Sequence, residues 1–116
     1  MTWLKLSGIL GFLAVAAGAF GAHGLRNRVA TNLLEAYQTG AHYHLIHAAA
    51  LLALALYARS AQVSIQLPAV CWTVGIVLFS GSLYAMALSG VTKLGIITPF
   101  GGLAFLAGWL GLLWLR

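Results

Sequence analysis

The chain has 116 residues, 62% hydrophobic and 6% charged, with a formal net charge of +5 and a mean hydropathy of +0.98. Too little polar surface is present for a water-soluble globule. The six Lys and Arg residues are scattered at the ends of apolar runs, which excludes a nucleic-acid face and matches membrane-flanking charge. Cys71 is the only cysteine, so the chain holds no internal disulfide and no multi-cysteine metal motif.

Apolar runs of about 18 or more residues read as transmembrane helices. The first span is expected over about 3–22. It has features of a secretory signal, but Gly11, Ala14, Gly18 and Ala22 recur at helical spacing. Small residues on one face let helix backbones approach closely, so this segment is expected to be retained and packed, mainly within the chain. Gly21 and Gly24 suit its C-terminal end.

The second span is expected over about 33–58. Asn32 reads as its N-cap and Glu35 as the reciprocal N3 residue of a capping box. Its length exceeds the hydrocarbon core of about 30 Å, so the first turns are expected at the interface. The third span, about 67–89, starts near Pro68 and carries the small residues Cys71, Gly75, Ser82, Ala85 and Ser89, interrupted at Leu78. The fourth, about 95–115, is expected to restart at Thr98-Pro99, with Thr98 as N-cap and irregular backbone over 95–97. Gly101, Ala104, Gly108 and Gly111 line one of its faces. The resulting fold class is an all-α polytopic membrane protein. It is a single-domain, four-helix transmembrane bundle over residues 1–116, with both termini on one side. Lys5, Arg59 and Arg116 then face Arg26, Arg28 and Lys93, so positive charge does not orient the bundle. Trp3, Trp72 and Trp114 fall near the termini side and read as an aromatic belt.

The polar chemistry is concentrated in one window. All four histidines and the only acidic residue lie between His23 and His47. At about 1.5 Å per residue, His47 sits roughly 15 Å from a membrane exit at Tyr57, near the midplane. At about 100° per residue the window divides into two faces. Gly40, Tyr43, His44 and His47 form an inward face, with His23 a possible neighbour. Asn32, Glu35, Gln38 and His42 form an interfacial, capping group. Polar groups at depth seldom face lipid.

Three readings of His44 and His47 follow. They can be neutral imidazoles bonded to Ser80, Ser82, Tyr84 or Thr98, conferring fold specificity. They can line a proton or solute path in a small transporter or channel past His47 and Tyr43. They can be ligands of a haem or metal, although no carboxylate or thiol supports them at depth. No catalytic residue is assigned. Paired carboxylates, a nucleophile elbow and a phosphate loop are all absent from the sequence. No cofactor or metal site is expected.

Four strings carry a resemblance: Ala19-Phe20-Gly21-Ala22-His23-Gly24-Leu25, Thr39-Gly40-Ala41-His42-Tyr43-His44-Leu45-Ile46-His47-Ala48, Phe79-Ser80-Gly81-Ser82-Leu83-Tyr84, and Thr98-Pro99-Phe100-Gly101-Gly102 with Gly108-Trp109. In order and spacing the chain resembles the YgdD/YwdK family of small four-span bacterial membrane proteins. Members often carry Gln where this chain has His44, which leaves Tyr43, His47 and His23 as matching positions. The resemblance implies a bacterial inner-membrane location and names no reaction, substrate or cofactor. The expected role is a non-enzymatic structural or accessory component. Its expected partners are the lipid bilayer and either further copies of itself or other membrane-protein subunits. Gly11, Gly18, Gly75, Ser82, Gly101 and Gly108 are the expected helix-packing residues.

Overall fold

The computed structural model describes residues 2–115, so the flanking role expected of Arg116 lies outside the described residues. Four helices are each long and apolar enough to cross a membrane: Thr2–His23, Thr31–Ala61, Gln66–Ser89 and Thr92–Trp114. No strand occurs among the described residues. In a hydrocarbon phase every backbone N–H and C=O needs an internal partner, and a continuous helix supplies one at every residue. Four successive crossings return both termini to one side.

The ends of the helices are made by the backbone more than by side chains. After the first helix, the N–H groups of Gly24 and Leu25 both donate to Phe20 O, and Leu25 tucks beneath Tyr37 and Ala87. The second helix begins at Thr31, with Ala30 at the N-cap position and no capping side chain. The capping box expected from Asn32 and Glu35 is therefore not formed, and both side chains are exposed within the first turns. Apolar contact fixes this entry instead: Val29, Leu33 and Leu34 pack onto the Leu25–Tyr37–Ala87 cluster. Val29 precedes the N-cap and Leu34 follows it by one turn, the spacing of a hydrophobic staple. At 31 residues, the second helix is about 46 Å long. It stops at Gln62, which takes a left-handed conformation (φ 59°) while its N–H donates to Ala58 O.

The third helix carries a feature with no counterpart in the sequence reading. Its middle turn, Ile76–Ser80, is a π-helix, with the N–H of Gly81 reaching back to Ile76 O. A wider turn shifts the register of everything after it. Here it lets Ser80, fully buried, donate its hydroxyl to Gly40 O at 2.6 Å. Phe79 meanwhile lies against Gly101 of the fourth helix. Gly90 at φ 75° ends the third helix, donating to Met86 O.

The fourth span opens with a 3₁₀ stretch, Thr92–Ile96, before the α-helix Thr98–Gly111. The restart at Thr98-Pro99 is as expected, but the N-cap position is Ile97. The Thr98 hydroxyl instead pairs with Ser82 Oγ at 2.6 Å, joining the third and fourth helices.

Packing follows chain order: first helix on second, second on third, third on fourth. The extents of 48 × 25 × 16 Å describe a slab of helices. A core of Leu10, Ala48, Leu51, Leu54, Ile65, Ala69, Trp72, Ile76 and Phe105 joins all four spans. Trp72 belongs to this core at 1% exposure, so it is not part of an interfacial belt. Its ring fills the space beside Gly108, where no side chain stands in the way.

Candidate functional site

The second helix supplies the site because its buried face repeats at helical spacing: Gly40, His44, His47 and Leu51 are all buried. Gly40 brings the third helix close, since a Cβ there would meet Leu83, Tyr84 and the Ser80 carbonyl at 3.2–3.3 Å. His44, 4% exposed, places Nδ1 2.9 Å from the Tyr84 hydroxyl. Its Nε2 is buried and has no hydrogen-bond partner among the described residues.

His47 is the best-satisfied polar group at depth. Nδ1 lies 2.8 Å from Tyr43 O, one turn earlier on the same helix. Nε2 receives the Trp109 indole N–H at 3.0 Å. A carbonyl can only accept and an indole N–H can only donate. The two partners therefore dictate the neutral imidazole with its proton on Nδ1. Phe105 stacks on the ring at 3.7 Å between centroids and 11° between planes. Trp72 and Trp109 flank it edge-on. Both nitrogens and one face are thus engaged within the chain.

Tyr43 does not turn inward as the helical phase led us to expect. It is 41% exposed, because it lies at the margin of the buried face centred on Gly40, His44 and His47. Its ring still contacts Phe79 at 4.9 Å and aligns within 15° of Phe105. His23 is exposed at the end of the first helix and does not join the cluster. Gln38 and His42 are exposed on the opposite face with Glu35, as the phase analysis expected, but they are not capping groups. Gln38 and His42 border a groove between the first and second helices. Glu35 contributes its backbone carbonyl to the Thr39 hydroxyl at 3.0 Å.

Two residues were missed from sequence. Trp109 was read only as part of a family string, yet it holds His47. Tyr37, 3% exposed, donates to Ala17 O at 2.7 Å and lies over Gly21. Its signal was present: an aromatic with a polar tip one turn before Gly40 and Ala41 on the buried side.

The helix-packing glycines divide. A Cβ at Gly75 would strike the Phe105 ring, at Gly101 the Phe79 backbone, and at Gly108 the Trp72 ring. At Gly11 and Gly18 it would meet nothing within 4 Å, and the same holds at Gly8. The expectation that Gly11 and Gly18 pack within the chain is therefore corrected. The first helix contacts the second through Leu10, Ala14 and Gly21 instead.

Comparison with known proteins places this geometry in a family. The family model described as "Protein of unknown function (DUF423)" matches residues 17–102. A UPF0382 membrane protein of Haemophilus influenzae is 43% identical, over 95% of this chain and 89% of its own length. The UPF0382 membrane protein YwdK of Bacillus subtilis is 41% identical, over 93% and 89%. The UPF0382 inner membrane protein YgdD of Escherichia coli is 44% identical, over 91% and 82%. No solved structure matches. With a family model matching residues 17–102 and bacterial relatives aligned over more than nine-tenths of its length, the chain belongs to the UPF0382 (DUF423) family of membrane proteins.

Proposed function

We propose that the protein is a non-enzymatic structural or accessory component of the bacterial inner membrane, assembling with further copies of itself or with other membrane subunits. One observation carries this reading: the open face of the first helix, where a Cβ added at Gly8, Gly11 or Gly18 would meet nothing within 4 Å. Grooves of about 390 and 430 Å³ run along that face against the second helix. Helices in a bilayer gain van der Waals contact where small residues let backbones approach. A glycine face left uncovered inside the chain is therefore available to another helix. The occupied nitrogens of His47 weigh against the two competing readings, a proton or solute path and a haem or metal site.

The test is oligomeric state in lipid vesicles. Cross-linking is expected to trap oligomers of the native chain. The double variant Gly11→Leu, Gly18→Leu is expected to run as a monomer with unchanged helical content. A native chain that stays a stable monomer and recovers no other membrane protein overturns the reading.

A further inference from the structure

The open side of the first helix has a polar margin that close packing alone does not use. Gln38 and His42 line the groove of about 430 Å³ between the first and second helices, together with Ala14, Gly18 and Ala19. Both are exposed. Tyr37, Thr39, His44 and His47 make side-chain hydrogen bonds along the second helix, whereas Gln38 and His42 make none among the described residues. The first helix, 22 residues long, measures about 33 Å, and Ala14 to Ala19 lie within about 10 Å of its middle. A hydrocarbon core about 30 Å thick and centred on this helix therefore holds both polar side chains. Polar groups at that depth seldom face lipid. At about 100° per residue, Gln38, His42, Leu45 and Ala49 fall within an arc of about 60° on one helix face, and all four are exposed. Leu45 borders both first-helix grooves, so the polar pair and the open glycines share one continuous surface.

We propose that this surface pairs two copies of the chain about a two-fold axis along the membrane normal, with Gln38 and His42 hydrogen-bonding across the seam. The assignment rests on the assembly reading above and names its partner and its polar lock. Self-complementarity selects a second copy. A carboxamide and a neutral imidazole each carry a donor and an acceptor, so an identical face at the same depth satisfies both. A two-fold interface opposes each patch to itself. The open space at Gly11 and Gly18 lets the second copy approach closely enough for these side chains to meet. Glu35, the one acidic residue, lies about 10 Å beyond His42 toward the helix start, at the edge of the core, where water screens like charges.

The test follows energy transfer between donor- and acceptor-labelled full-length chains in phosphatidylcholine vesicles, with dissociation driven by lipid dilution. Saturable transfer is expected for the native chain. Gln38→Leu is expected to weaken pairing about five- to tenfold, the share of two membrane hydrogen bonds, and Gln38→Leu with His42→Leu about 30- to 100-fold. His42→Gln keeps a donor and an acceptor and is expected to pair within about threefold of the native chain. Helical content and unfolding temperature should stay native in each, because both positions are exposed. In a Cys71→Ser background, Leu45→Cys is expected to form a disulfide-linked dimer on oxidation. Leu110→Cys, at a position 58% exposed on the fourth helix, is not. This second readout stands if a leucine variant misfolds. Pairing that resists the double leucine variant but is lost in Gly11→Leu, Gly18→Leu overturns the polar lock and leaves the assembly reading standing. A monomeric native chain that recovers another membrane protein does the same. A monomeric native chain that recovers none overturns both. Cross-linking of Leu110→Cys as readily as Leu45→Cys overturns the two-fold arrangement.

Discussion

The seam between the third and fourth helices and the groove between the first and second are built from the same material and used in opposite ways. Along the seam, every glycine named for packing is covered: Gly75 by Phe105, Gly101 by the Phe79 backbone, Gly108 by Trp72. Along the groove, Gly8, Gly11 and Gly18 are open. The difference lies in the opposing helix. Aromatic rings at Phe79, Phe105 and Trp72 need the room that a missing Cβ provides. The second helix instead presents Ala41, Ala48 and Ala49 to the first-helix groove, and the longer side chains along it, among them Leu45 and Leu52, do not come within 4 Å of a Cβ at Gly8, Gly11 or Gly18. A small-residue pattern thus marks where close approach is possible, and large side chains elsewhere decide whether it occurs within the chain.

Substitutions can break or sharpen this contrast. The largest effect is expected at Gly101, where an added methyl meets backbone rather than a movable ring. Gly101→Ala should destabilise the protein by about 3 kcal/mol through overpacking, read from denaturant unfolding in micelles. A loss below that of Gly108→Ala, where the Trp72 ring can shift, would contradict the assignment. At the π-turn, Ser80→Ala removes the buried bond to Gly40 O and should cost about 1 kcal/mol. A neutral result would mean that the wide turn does not depend on that bond. For His47→Leu, the bonds to Tyr43 O and from the Trp109 indole are both lost, at about 0.6 kcal/mol each, the mean for hydrogen bonds measured within membranes. Trp109 fluorescence should change because its N–H loses its acceptor, whereas wholesale unfolding would show that the imidazole carries far more than two such bonds.

The smallest effect is expected at Gly11 and Gly18. Replacing either by Ala within a helix should leave the isolated chain unchanged or stabilise it by up to about 1 kcal/mol, because glycine is a poor helix residue. Destabilisation comparable to Gly108→Ala would show that the two regions are not different after all. If the proposed assembly forms, the same substitutions weaken association while the fold stays intact.

Much of the site was visible in the pattern of the second helix. The inward phase of Gly40, His44 and His47 and the exposed phase of Glu35, Gln38 and His42 follow from the helical period alone. Partner choice was less accessible. Tyr84 was among the expected partners of His44, whereas Trp109 was not foreseen for His47. The two residues lie far apart in the chain, and only the docking of the fourth helix on the third brings them together. The capping box failed for a related reason. Asn32 and Glu35 match a local signal, but contacts of Val29, Leu33 and Leu34 with Leu25, Tyr37 and Ala87 outweigh it.

The sequence by itself determined the number of spans, their approximate ends and the phase of the polar face, because a bilayer requires long, self-satisfied apolar helices and a helix has one period. Tertiary structure alone decided the register and the partners. The π-turn at Ile76–Ser80 sets which third-helix residues meet Gly40 and Gly101. The Trp109 indole selects the tautomer of His47. The reach of opposing side chains selects which glycines are covered. Each depends on residues distant in sequence meeting in space, which no local pattern encodes.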